Sequence, residues 1–270
     1  MDLTQSIQDL LPGVKSVENW ESRIRIDRIR MLMNEQGRLS ANKRKALLEA
    51  LTVGTRPPKD FLEGWGYTAK DYRDPIKWVT SLRNGEPGAY LAFLKQRLKM
   101  LELGALAWLG EGRAALSIPV KGKLPIPMLE HVISKEDHEG EDKYRTIMDW
   151  SKKPTRLSGR GPLNPSANRG FARDEVSASF PDIRDKAALV AAFKGGYISL
   201  VDLRGMFWLF RQHPSVLHYQ VIPLLLPHWE EVKFYVLMTN AMGSSGAPAG
   251  CMHIHVLLLE IADKIKPGAL

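Results

Sequence analysis

The sequence predicts an α+β fold, a small and largely antiparallel sheet covered by helices on one face and preceded by a helical N-terminal region. Three observations carry this expectation. Leu91, Leu94, Leu98 and Leu101 recur at helical spacing within residues 89–103, which marks a helix with one apolar face. Residues 131–135 and 143–150 are short strand-like runs separated by a polar stretch containing Gly140, the pattern of a hairpin. Residues 217–226 and 232–238 flank Pro227-His-Trp-Glu-Glu231 and read as two paired strands.

The chain divides into an N-terminal region, 1–86, and a second region, 87–270. Short helices joined by polar breaks fill the first. Residues 40–51 start with a capping Ser40 and continue with helix formers, and Gly54 with Pro57-Pro58 ends them. Further breaks fall at Gly64-Trp65-Gly66 and at 84–88. Arg23, Arg25, Arg28 and Arg30 alternate with Ile24, Ile26 and Ile29. They form either a phosphate-binding face or, the simpler reading, a solvated helix face partly neutralised by Glu21 and Asp27.

In the second region, helix 89–103 closes at Gly104, with Lys95, Arg97 and Lys99 mostly off its apolar stripe. A connection punctuated by Pro119, Pro125 and Pro127 leads to the hairpin. Residues 152–168 are loop by composition. A helix is predicted over 181–193 and, after Gly195-Gly196, a strand over 197–203. A short helical segment ends at Pro214, the strand pair follows, and a glycine-rich turn at 240–250 leads into an apolar helix over 251–265.

Composition narrows the function classes. The chain has 270 residues, 44% of them hydrophobic, enough for a real core. A single cysteine, Cys251, excludes an internal disulfide framework and points to a reducing compartment, cytoplasm or nucleus. No apolar run reaches the roughly 18 residues of a membrane span, and Asp2 and Asp9 argue against a secretory leader. A net charge of +8 is compatible with a polyanionic partner. Cys251, His253 and His255 do not make a metal site on a helix, because His253 points away from the other two. The run 243–247 is one residue short of a nucleophile elbow and has no acid–base partners.

The more specific signal is an ordered set of motifs. Residues 200–214 give a strand, Asp202, an aromatic at Phe207 and then His213-Pro214. Residues 240–248 hold Gly243, Ser245, Ala247 and Pro248 ahead of the apolar helix, and Lys143-Tyr-Arg-Thr-Ile-Met-Asp-Trp-Ser151 is a strand bearing Arg145. In this order and spacing, the set resembles the fingers and partial palm of retroelement reverse transcriptases of the gypsy and DIRS types, over residues 87–270. The resemblance implies a polymerase-like fold, an RNA or DNA template-primer and deoxynucleotides as partners, and Mg²⁺ or Mn²⁺ as cofactor. Asp202 is then the catalytic metal ligand, since hard divalent ions take carboxylate oxygens. The Leu203 carbonyl would add a neutral ligand. Arg145 would hold the triphosphate through its forked guanidinium, and Phe207 would press on the sugar. Met242 and Gly243 would line the nucleotide pocket, where a glycine lets the backbone approach a base pair.

Departures from the family pattern bear on activity. Met206 replaces a small residue, Met242 replaces a Phe or Gln, and Asn240-Ala241 replaces a Leu-Pro. No aromatic-x-Asp-Asp segment occurs in these residues; Asp71-Tyr72-Arg73-Asp74 has the wrong order. Two readings follow. One is an RNA-directed DNA polymerase domain, inactive alone unless another chain or a longer product supplies the remaining carboxylates. The other is a degenerate or repurposed polymerase domain that binds nucleic acid or protein without turnover.

Overall fold

The computed structural model describes residues 2–36, 40–54, 74–128, 130–136, 142–149, 205–244, 247–248, 251, 254 and 258. The described residues form an α+β fold of helices with two small antiparallel sheets. Helix α1 spans Leu3–Leu10, α2 Ile26–Gln36, α3 Ala41–Thr52, α4 Pro75–Arg83 and α5 Pro87–Glu102. Strands are β1 Leu106–Glu111, β2 Glu130–Glu136, β3 Asp142–Met148, β4 Val221–Leu224 and β5 Lys233–Leu237. Among the described residues no helix is long and apolar enough to cross a membrane.

Local chemistry sets the helix starts. Ser40 accepts from the Lys43 amide and caps α3, as its hydroxyl predicts. Asp74 accepts from the Ile76 and Lys77 amides ahead of Pro75. Pro87 opens α5, two residues before the predicted start at 89, because proline lacks only an N–H that the first turn leaves unpaired.

Strands β1, β5 and β4 make one sheet in that order, with β5 in the middle. The paired strands expected around 227–231 are there as β4 and β5. The first of them is shorter than expected. Pro214–Tyr219 is a 3₁₀ turn, with Pro214 at its start and the His213 side chain accepting from the Ser215 amide. Pro214 therefore begins a helical turn instead of ending one, since its fixed φ suits a first helical position. Strand β1 was not expected. Trp108-Leu109-Gly110 carries a register irregularity, so no clean period-two pattern marks the strand in sequence.

One continuous core underlies the sheet. Ile7, Val17, Trp20 and Val79 from residues 1–86 pack in it with Phe93, Met100, Leu106, Val221, Phe234 and Leu237. Both outer edges of the sheet are covered. The Trp108 amide donates to Lys15 O at 2.9 Å, and the Met128 amide donates to Val221 O at 2.8 Å. Such covering removes free edges as templates for further pairing. The helix predicted over 181–193 and the strand over 197–203 lie outside the described residues. Of 251–265, Cys251, Ile254 and Leu258 are described, and all three are helical.

Candidate functional site

The hairpin expected from the alternation at 131–150 forms in full register, with Ile133 opposite Arg145 and His131 opposite Ile147. Alternation then divides its side chains between two faces. The face carrying Glu130, Tyr144 and Met148 turns toward α5. Glu130 and Met148 are buried, and Gly88 of α5 lies so near Tyr144 that a Cβ there would sit 2.6 Å from Cε2 of its ring. The Gln96 side chain also donates to Thr146 O at 3.1 Å. His131, Ile133, Lys143, Arg145 and Ile147 share the other face. Arg145 is exposed and makes no ion pair among the described residues.

The hairpin is fixed to α5 by a feature that sequence pattern misassigned. Arg97 is fully buried, although the leucine spacing placed it off the apolar stripe. The buried stripe is Phe93, Leu94, Arg97, Met100 and Leu101, while Leu91 is exposed. Spacings of three and four centre that stripe on position 97. Arg97 Nη2 donates to Glu130 Oε2 at 2.5 Å, and its Nε donates to Pro223 O at 3.1 Å. The guanidinium stacks 4.4 Å from the Phe93 ring centroid. One side chain thus joins α5, β2 and β4. The Pro223 carbonyl faces Arg97, so the missing amide on that side of Pro223 deprives β5 of nothing. Burial pushes the Glu130 carboxyl above the usual carboxylate range, against the opposing pull of Arg97. The only warning in the sequence was an arginine at the centre of an alternative apolar stripe.

Gly243 meets the end of the same hairpin. Its φ is +93°, and a Cβ there would overlap the Met148 carbonyl oxygen, so the position admits glycine on two counts. Met242 beside it is 48% exposed. The turn is held from the other side as well. The Asn240 amide donates to Phe210 O at 2.9 Å, Arg211 bridges to Thr239, and Asn240 Nδ2 donates to Cys251 Sγ at 3.5 Å.

Phe207 belongs to the 3₁₀ turn Met206–Trp208, which starts from Gly205 at φ +69°. A Cβ on Gly205 would lie 2.7 Å from Leu103 Cδ1, which seats this turn on the end of α5. Phe207 is partly buried. The structure therefore ties the segment of Phe207 to the turn of Met242 and Gly243, and that turn to the end of β3. Arg145 stands three residues up that strand, about 10 Å away along the chain. Asp202 and Leu203 lie outside the described residues. Among the described residues no cluster of His, Cys, Asp and Glu is arranged to hold a metal; Asp149, just after β3, lies 3.8 Å from His131 Nδ1.

The Arg23–Arg30 segment follows the simpler of its two readings in part. Its arginines are exposed and Asp27 neutralises one of them, but Arg23 and Arg25 precede α2 and Glu21 pairs with Lys15 instead. Arg25 pairs with Asp27 at 2.9 Å, and Arg23 donates to Glu102 O at the end of α5. Cations suit a helix C-terminus because the last carbonyls are unpaired. No family model, curated protein or solved structure matches the chain.

Proposed function

We propose that residues 87–270 are a reverse-transcriptase-like domain of retroelement type, with the β2–β3 hairpin as its fingertip. The observation that supports this best is the seating of Gly243 against the Met148 carbonyl. Two motifs distant in sequence, each matched to the nucleotide side of such a domain, meet at one point. Arg145 adds a second argument: it is an exposed guanidinium that makes no ion pair among the described residues, suited to forked contacts with phosphate oxygens. In this reading Phe207 backs the sugar, Met242 and Gly243 border the base pair, and Asp202 with the Leu203 carbonyl would hold Mg²⁺ or Mn²⁺. The ion would stabilise charge on the attacking and leaving oxygens.

We read these 270 residues, taken by themselves, as a binder of template-primer without turnover. One carboxylate at Asp202 under-ligands a metal pair, and no aromatic-x-Asp-Asp segment occurs in its 270 residues. The net charge of +8 and scattered phosphate contacts suffice for association that weakens as salt rises. Fluorescence anisotropy on an RNA–DNA template-primer, followed by primer extension with Mg²⁺ or Mn²⁺, tests both halves. The expected result is salt-sensitive binding and no extension. Extension that disappears in Asp202→Ala would establish an active polymerase, and failure to bind nucleic acid or nucleotide would remove the family reading.

A further inference from the structure

A second apolar cluster stands apart from the main core. It contains Met33, Leu47 and Leu51 of the α2–α3 pair together with Phe210, Cys251 and Ile254. Phe207 packs against this cluster and the main one. Polar and steric fastenings join the same partners. Arg211 Nη1 donates to Thr52 O in the last turn of α3 at 2.9 Å, where a cation meets unpaired carbonyls. The Arg211 guanidinium also lies 5.3 Å from the Trp20 ring centroid. Gly54, at φ +114°, follows α3 so closely against residues 212–213 that a Cβ would overlap the Gln212 carbonyl carbon.

We propose that the α2–α3 pair is a latch over residues 205–213, closed by Arg211 and Gly54, which opens as a unit while the main core stays folded. Arg211 is accordingly a positioning residue for Phe207. The physical basis is the division of apolar surface. Opening exposes the small cluster but leaves the sheet core buried, so it requires less free energy than global unfolding. Closed, the latch packs one side of Phe207. A ligand seated on Phe207 therefore favours closure to the extent that it binds the closed form better. This coupling rests on the reading of Phe207 as a wall of the nucleotide pocket; the latch itself does not.

Cys251, the one cysteine of the chain, is buried in this cluster and serves as a built-in probe. Burial pushes its thiol up to about 12, so the closed form is unreactive. The experiment measures labelling of Cys251 in the full chain by a small aromatic disulfide reagent across a urea series. The expected result is labelling faster than global unfolding permits, with a shallow urea dependence that reflects a small exposed area. Arg211→Ala should speed it at least about tenfold, the loss of one charge-assisted bond. Val79→Ala, in the main core, should lower global stability and leave low-urea labelling unchanged. A urea dependence equal to that of global unfolding, or no acceleration in Arg211→Ala, overturns the latch. A fluorescent deoxynucleoside triphosphate with Mg²⁺ should slow labelling. If it binds and the rate does not change, the coupling to Phe207 is overturned; if it does not bind, the nucleotide reading falls while the latch result stands.

Discussion

The three-stranded sheet and the β2–β3 hairpin are built from the same antiparallel pairing but stand in opposite relation to solvent. All of β4 and most of β5 are buried, and neighbouring backbone covers both sheet edges. The hairpin buries Glu130 and Met148 on the face toward α5, half-buries Val132, Tyr144 and Thr146 there, and leaves Ile133 and Arg145 exposed on the other face. Two strands alone are at best marginally stable in water. The sheet is thus held by its own burial, and the hairpin by what its inner face touches. The sheet therefore stands on its own, while the hairpin presents Arg145 on a face whose position depends on α5.

The largest expected effect breaks the attachment. Arg97→Met leaves Glu130 buried without its cation and should cost about 3–5 kcal/mol in urea unfolding. Glu130→Leu added to it should recover most of that loss, because an apolar pair of similar volume does not need compensation. Recovery would show that the pair fixes hairpin placement more than it adds net stability.

The sheet side can be loosened by acid. His218 is buried just before β4, and burial, with Lys123 adding repulsion, pulls its pKa down to about 4. A depressed folded value means that the unfolded chain takes up the proton first. Stability contributed by neutral His218 is therefore fully present above about 6.5 and lost as pH falls toward 4, by about 3 kcal/mol in all. Unfolding free energies measured across that range should show the slope, and His218→Gln should flatten it.

A smaller effect is expected where hairpin and turn meet. Gly243→Ala forces a side chain into a left-handed backbone against the Met148 carbonyl, which should cost roughly 1–3 kcal/mol. Hydrogen exchange at the β3 amides should rise with it. Arg145→Ala should change stability by less than about 0.5 kcal/mol, yet lower the salt slope of nucleic-acid binding by about one. An Arg145→Ala protein with unaltered salt dependence would leave the open face without its assigned partner.

Much of the fold was legible where one face is buried and the other wet. The hairpin was legible as two strand-like runs at 131–135 and 143–150, although its pairing runs on through Glu136 and Asp142, which the polar composition assigns to the turn, and Ser40 announced α3. The misread segments are those where short-range signals conflict. At 217–219 apolar residues that suit a strand are taken into a 3₁₀ turn, because Pro214 and the His213 side chain organise the backbone first. At 106–111 a register irregularity erased the period. For the candidate site, sequence supplied the residue types at Arg145, Phe207, Met242 and Gly243 but not their neighbours.

By itself the sequence determined helices α3 and α5, the hairpin and the β4–β5 pair, since caps, periodicity and side-chain type act within a few residues. Tertiary structure alone decided that Arg97 is buried against Glu130, that Gly243 rests on Met148, and that Phe207 lies between two cores. Those contacts join residues far apart in the chain. A buried charge becomes tolerable only when its partner arrives with the fold, so the spacing around Arg97 could place it on an apolar stripe but could not show that Glu130 would meet it there.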